Sequence, residues 1–305
     1  MLEDLRIPGD CDGLLYLAES ARNPPVLPPH RHAELEFNVV ARGEITYIVD
    51  GRRMTFTQRS LLWMFPAQEH QLVDRSADAR YYVAVFKPGM IRGACRGPDA
   101  RPLRRRGQSG DPVLHCDLEP ADLDLMCRLM DELMAGGPDP ATLNREAGFG
   151  VASDFTYRHA DPDWLNAGLR HLLLLSWRHQ RGRHGSRREV ELHPAVARAV
   201  ELLRRTDAPD DFGELARRCG VSPSYLSRIF LRQVGVSLTR YRNSVRLARF
   251  WQVRREGRSR TLLESAYAAG FGSYAQFFRV FTETYGTGPR ESMHGPPADP
   301  AGRTR

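Results

Sequence analysis

The chain of 305 residues has one lysine, Lys87, so all but one of its 44 basic residues are arginine. A skew of that size reflects coding bias as readily as function. Cysteine is also scarce. Cys11, Cys95, Cys116, Cys127 and Cys219 are odd in number, and no two form a C-x-x-C pair. That argues against a disulfide framework and a thiolate zinc site, and suits a reducing compartment. Long apolar runs are missing as well. The longest, Leu172 to Leu175, is far too short to span a bilayer. The opening residues Met-Leu-Glu-Asp-Leu-Arg lack the basic and apolar regions of a signal peptide. Together these absences lead us to expect a cytoplasmic protein with no membrane partner.

What the chain has in excess is positive charge, +7 overall with a pI near 9.4. The excess is local. Residues 193–293 hold 17 arginines against 9 acidic residues, which leaves the rest close to neutral. Coding bias does not predict such segregation. A basic C-terminal third points to a polyanionic partner.

The same third contains a repeat. One copy runs Ala216-Arg-Arg-Cys-Gly220-Val221-Ser222, then Arg228-Ile229-Phe230, then Gly235. The other runs Ala266-Tyr-Ala-Ala-Gly270-Phe271-Gly272-Ser273, then Arg279-Val280-Phe281, then Gly286. Each predicts a short helix, a glycine turn and a second helix capped by serine, which is the helix-turn-helix layout that places its second helix in a DNA major groove. Pro223 after Ser222 suits a first helical position. On these second helices Leu226, Ile229 and Phe230, and Phe277, Val280 and Phe281, should face inward. Ser224, Ser227 and Arg228, and Tyr274, Gln276 and Arg279, are left outward. Arginine can fork onto guanine and glutamine onto adenine. An arginine-rich helix over 238–255 separates the copies. At about 18 residues it spans about 27 Å, a suitable spacer for two recognition helices set roughly one DNA turn apart. Its arginines, Arg246 among them, are expected to supply phosphate contacts.

The N-terminal part reads differently. Residues 14–88 carry short β-rich runs split at Arg42-Gly43, Asp50-Gly51 and Pro66, which predicts an antiparallel barrel or sandwich. Residues 92–112 read as a loop. Helices are expected over 120–135 and 163–179, from apolar residues recurring at three- and four-residue steps. Residues 181–188 look like a linker, and the tail from 294 reads as disordered. The fold class is therefore α+β, with a sensor barrel over 1–90, a loop and helical connector over 91–186, and an all-α double helix-turn-helix domain over 187–293.

Two resemblances sharpen this. Residues 193–293 resemble the DNA-binding domain of AraC/XylS regulators, on the stretch Ala266 to Phe281 followed by Tyr285-Gly-Thr-Gly-Pro289. The resemblance implies base contacts from the first turns of each recognition helix, here Ser224, Ser227, Arg228, Ser273, Tyr274, Gln276 and Arg279. It also implies RNA polymerase as a partner, activation rather than repression, and pairing of two copies through the connector helices. Pro29-His30-Arg-His32-Ala-Glu-Leu-Glu36, continuing to Gly43, resembles the first motif of the cupin barrel. Pro66-Ala-Gln-Glu-His70 resembles the second, although Ala67 and Gln68 stand where that motif has glycine. His30, His32 and Glu36 share one strand parity. With His70 they form either a polar cluster lining an effector pocket, beside Phe37, Tyr47, Trp63, Phe65 and Tyr82, or a site for Fe, Mn, Ni or Zn. The overall expectation is a transcription regulator that binds double-stranded DNA and a small effector, with no certain cofactor. A cupin metalloenzyme fused to a DNA-binding domain is the alternative.

Overall fold

In the computed structural model the residues described are 4–19, 29–108, 111–145, 156–181, 188–205, 207–256 and 260–294. The N-terminal half is built on β1 (Gly13–Glu19), β2 (Leu35–Arg42), β3 (Glu44–Val49), β4 (Arg52–Thr57), β5 (Ser60–Met64), β6 (His70–Arg75) and β7 (Arg80–Phe86). Close spacing forces tight turns. Asp50-Gly51 joins β3 to β4 with both residues at positive φ, 45° and 80°, the twist that a two-residue hairpin favours.

After β7 come α1 (Pro88–Ala94), a 3-10 helix (Pro98–Arg104), β8 (Leu114–Asp117), α2 (Pro120–Met134), α3 (Pro140–Arg145) and α4 (Pro162–Gln180). The loop expected over 92–112 is thus largely ordered: Pro88 and Pro98 sit in first turns, where a missing N–H costs nothing. The long connector over 136–160 contains α3, and its residues 146–155 lie outside the described ones. The α2 and α4 helices match their expected spans to within a residue.

The strands form two antiparallel sheets, ordered β1-β7-β2-β5-β8 and β6-β3-β4-β9. The last strand, β9 (Arg188–Glu191), was not visible in the sequence. It pairs with β4 from Arg52↔Glu191 to Thr55↔Arg188. The linker expected over 181–188 therefore ends in a strand, and the first residues assigned to the DNA-binding half belong to the sensor sheet.

The C-terminal half follows as α5 (Pro194–Leu203), α6 (Phe212–Arg218), α7 (Pro223–Val234), α8 (Leu238–Glu256), α9 (Leu262–Ala268), α10 (Tyr274–Tyr285) and α11 (Pro289–His294). Of the tail expected to be disordered, residues 295–305 lie outside the described ones.

Among the described residues three apolar cores form. The first joins both sheets to α2 and α4 through residues such as Phe37, Phe56, Trp63, Met126 and Leu169. The third belongs to the second helix-turn-helix unit, around Phe250, Phe277 and Phe281. The second spans both halves: Ile48 of β3 and Val73 of β6 pack with Val196, Leu215, Phe230 and Tyr241. Along β3, Tyr47 and Val49 face the first core while Ile48 faces the second. The smaller sheet is thus covered on both sides.

Helices α2 and α4 approach closely at Gly168, where an added Cβ would lie 2.0 Å from Leu133 Cδ2 and within 2.8 Å of two more Leu133 atoms. Leu133 is fully buried and has little room to yield. Gly168→Ala should therefore destabilise the chain by roughly 1–3 kcal/mol, measured by urea unfolding, despite alanine's better helix propensity.

Candidate effector site and nucleic-acid interface

His30, His32, Glu36 and His70 come together as a buried cluster. His30 and His32 flank Arg31, which points out to solvent, and after a bend at Ala33–Glu34 strand β2 brings Glu36 to the same cluster. His70 arrives from β6 and exchanges both backbone hydrogen bonds with His30, at 3.0 and 2.9 Å. The ring centroids are 4.4 Å apart for His30 and His70, and 5.1 Å for His32 and His70. One ring nitrogen from each histidine lies within 4.8 Å of the others. Ala67 takes φ of 73°, so the position where the cupin motif has glycine keeps a left-handed conformation without one.

The hydrogen bonds fix the chemistry of this cluster. His32 Nδ1 meets the Glu34 carbonyl at 3.1 Å, and His70 Nδ1 meets the Gln68 carbonyl at 3.0 Å. A carbonyl only accepts, so both Nδ1 atoms carry protons. Their Nε2 atoms then face one Glu36 oxygen, at 3.2 Å from His32 and 3.8 Å from His70. His70 Nε2 is buried with no hydrogen-bond partner. The other Glu36 oxygen accepts from the Asn38 amide at 2.7 Å, and Asn38 in turn accepts from the Tyr47 hydroxyl at 3.1 Å.

Burial alone would raise the Glu36 carboxyl. The His32 hydrogen bond, the facing His70 and His32 rings and the Asn38 amide outweigh it and hold the group at about 2. Burial pushes His70 below its ordinary value, against the pull of Glu36. An ionised carboxylate therefore faces two imidazole Nε2 atoms, with the His32 nitrogen within hydrogen-bond distance. That arrangement is complete only with a cation, either a proton on His32 or a metal ion between the groups.

Of the five aromatics expected beside the site, Tyr47 is there, 6.4 Å from His70 between ring centroids. Phe37 and Trp63 pair across β2 and β5, and Trp63 stacks edge-on against Trp177 of α4. Parity explains it, because Phe37 alternates with Glu36 and Asn38. The Arg105 guanidinium caps the Phe65 ring, and the Tyr82 hydroxyl donates to Asp131. Asn38 is the residue the sequence reading missed. Its signal was available, since it lies two positions beyond Glu36.

In the other half the two copies fold alike. Gly220 and Gly270 make the turns at φ of 73° and 93°. Ser222 accepts from Tyr225 N, and Ser273 from Gln276 N. On α7, Ser224, Ser227 and Arg228 are exposed, and so is Tyr225, which the sequence reading left aside. On α10, Ser273 and Arg279 are exposed. Tyr274 is half-buried against Phe277, and the Gln276 carbonyl oxygen accepts from Gly272 N at 3.1 Å.

Arg246 is not on the outward face. Its guanidinium pairs with Asp210, and its side chain is only 11% exposed. Arg242 donates to the Asp210 carbonyl and lies over the Phe212 ring. Arg249 donates to the carbonyls of Arg204 and Arg205. These α8 arginines fasten the spacer to the first unit, contrary to the expected phosphate role.

A buried polar cluster in one half and a pair of helix-turn-helix units in the other define a two-part chain. The comparisons agree with that class. Residues 14–133 match the model of the AraC-like ligand binding domain, and residues 215–294 match a helix-turn-helix domain. The chain thus carries an AraC-like ligand binding domain followed by a helix-turn-helix domain. Over 105 residues it is 31% identical to the HTH-type transcriptional regulator GbdR of Pseudomonas aeruginosa, in strains UCBPP-PA14 and PAO1. That match covers 34% of this chain and 28% of the relative's length. Among solved structures, ToxT of Vibrio cholerae aligns over 92% of this chain and 97% of its own, with 12% identity and a TM-score of 0.35. The AraC-like transcriptional activator CuxR aligns over 74% and 69%, with 13% identity and a TM-score of 0.29.

Glu36 keeps its charge to lower pH in the folded chain than in the unfolded one. Its contribution to stability is full above about pH 4.5 and is lost as the pH falls towards about 2. Urea unfolding of Glu36→Gln should show a flatter stability profile than wild type across that window.

Proposed function

We propose that this chain is a sequence-specific DNA-binding transcription regulator whose sensor half binds a small effector at the His30–His32–Glu36–His70 cluster. The observation that carries the reading is the pair of capped recognition helices presenting Ser224, Ser227 and Arg228, and Ser273 and Arg279, to solvent. Both matched modules belong to regulators, so the metalloenzyme alternative is not carried further. Among the described residues no helix is long and apolar enough to cross a membrane.

The sensor unit runs to residue 191, and the DNA-reading unit from 192 onward. Activation, contact with RNA polymerase and homodimerisation belong to the same reading. Exposed Leu125 on α2 and Trp164 on α4 are the apolar surface on offer for pairing. Gln276 and Tyr274 contribute to base reading after local rearrangement, and Arg246 contributes through the spacer's geometry.

A specific observation favours a divalent transition metal, of the Zn, Ni, Mn or Fe class, at the effector site. Backbone carbonyls hold two imidazoles with Nε2 aimed at an ionised carboxylate. His30, His32, His70 and Glu36 would hold the ion, and a set of imidazoles with one carboxylate suits these metals. Calorimetric titration of the purified chain with Zn(II) should show one equivalent bound, and His70→Ala should abolish it. Absence of saturable binding to wild type would end the metal reading and leave the polar effector site standing.

The DNA reading has its own test. On DNA selected by the wild-type chain from a random library, Arg279→Ala should weaken binding by roughly 1–3 kcal/mol and relax preference at one base position. Unchanged affinity and preference would move the base-reading face away from α10.

A further inference from the structure

We infer that residues 69–74 form a two-sided relay between the sensor cluster and the DNA-reading half, with the Glu69–Arg204 pair as its latch. This rests on the reading of the chain as an effector-responsive regulator and names how the effector site would control DNA binding.

Alternation along the strand supplies the two sides. His70 points into the cluster, and its backbone is locked to His30 by both hydrogen bonds. Its neighbours point the other way. Glu69 is gripped by Arg204, at the end of α5, through two parallel bonds of 2.8 Å. Gln71 accepts from the buried Tyr241 hydroxyl, in the first turn of α8, at 3.3 Å. Val73 enters the core shared with α5, α6 and α7. A register shift in the β3–β6 pairing, at Val73, breaks the alternation, and Asp74 lies against Gly235, the left-handed cap of α7, where an added Cβ would be 3.0 Å from the Asp74 Cβ. The ends of α5 and α7 and the start of α8 therefore all rest on this one short segment.

The contacts continue to the second unit. The Arg204 carbonyl accepts from Arg249, and the Arg205 carbonyl does so as well. The side chains of Arg249 and Arg246 approach the Gly270 turn, within 3.8 and 3.6 Å of where a Cβ would stand. A shift of His70 cannot leave Glu69 and Gln71 in place, because one backbone carries all three. A movement of Arg204 also displaces the carbonyl that anchors the spacer helix.

Ordinary domain packing would need apolar surface only. Here a buried Gln71–Tyr241 bond and a bidentate ion pair are placed directly beside the residue that closes the sensor cluster. Directional groups of this kind specify one relative orientation of the halves. The recognition faces of α7 and α10 remain uncovered, so the relay acts by orienting the two units, not by blocking them.

The test is a double-mutant cycle read as DNA affinity, on full-length chain and DNA selected by wild type. His70→Ala disturbs the cluster, and Glu69→Ala opens the latch. In the wild-type background His70→Ala should change the DNA Kd about fivefold or more, the lower end of allosteric coupling. In the Glu69→Ala background the same change should fall below about twofold. The charge-reversed pair Glu69→Arg with Arg204→Glu should restore sensitivity to His70→Ala. His70→Gln, with cooperative unfolding checked for each protein, covers the case in which His70→Ala does not fold. Equal factors in both backgrounds, or no effect of folded His70 variants on DNA affinity, would overturn the relay. Failure of wild type to select any DNA sequence would instead overturn the regulator reading beneath it.

Discussion

A β-strand buried on both faces cannot slip, and β6 is such a strand. A one-residue change of register would turn His70 out of its cluster and drive Glu69, Gln71 and Val73 into the sensor core. The pairing of His30 with His70, the left-handed Ala67 before the strand, and the packing of Ile48 and Val73 under the first helix-turn-helix unit all depend on that register. In most antiparallel sheets one face meets solvent and tolerates polar variation. Here that face is itself an interface, so the sensor half cannot be varied without regard to the other half.

Much of this architecture was legible in the chain. Each serine cap, glycine turn and inward apolar triplet of the repeat falls where local rules place it, because helix ends are governed by residues close in sequence. The four cluster residues were also readable, since His30, His32 and Glu36 share a parity. Other features depended on long-range pairing. No local rule could attach Arg188–Glu191 to β4, which lies well over a hundred residues earlier. Nor could composition reveal that Phe37 and Trp63 pair with each other, and Trp63 with Trp177 of α4, instead of lining the cluster, although parity with Glu36 held the clue. The arginines of α8 show the same limit. Their number suggested phosphate contacts, while their positions make Arg242, Arg246 and Arg249 a stripe that bonds the loop between α5 and α6.

That stripe gives the near-absence of lysine a physical meaning. A guanidinium offers several donors in a fixed plane and stacks on aromatic rings, which an ammonium cannot match. Arg204 holds both oxygens of Glu69, Arg242 combines a carbonyl contact with the Phe212 ring, and Arg249 bridges two carbonyls. Whatever mutational bias enriched arginine, the fold employs these side chains as internal braces. The basic charge of the C-terminal third is therefore not all available to DNA.

Strand β9 bears on how the chain can be divided. It covers the outer edge of β4 with a segment that immediately precedes the DNA-reading helices. A cut through the polar stretch over 181–187, the natural choice from sequence, would leave β4 with a row of unpaired backbone groups. Such an edge recruits strands from other molecules and leads to aggregation. A sensor fragment that stays soluble has to carry residues 188–191 with it. An isolated DNA-reading fragment loses nothing by starting later, but it exposes the apolar surface that Ile48 and Val73 cover.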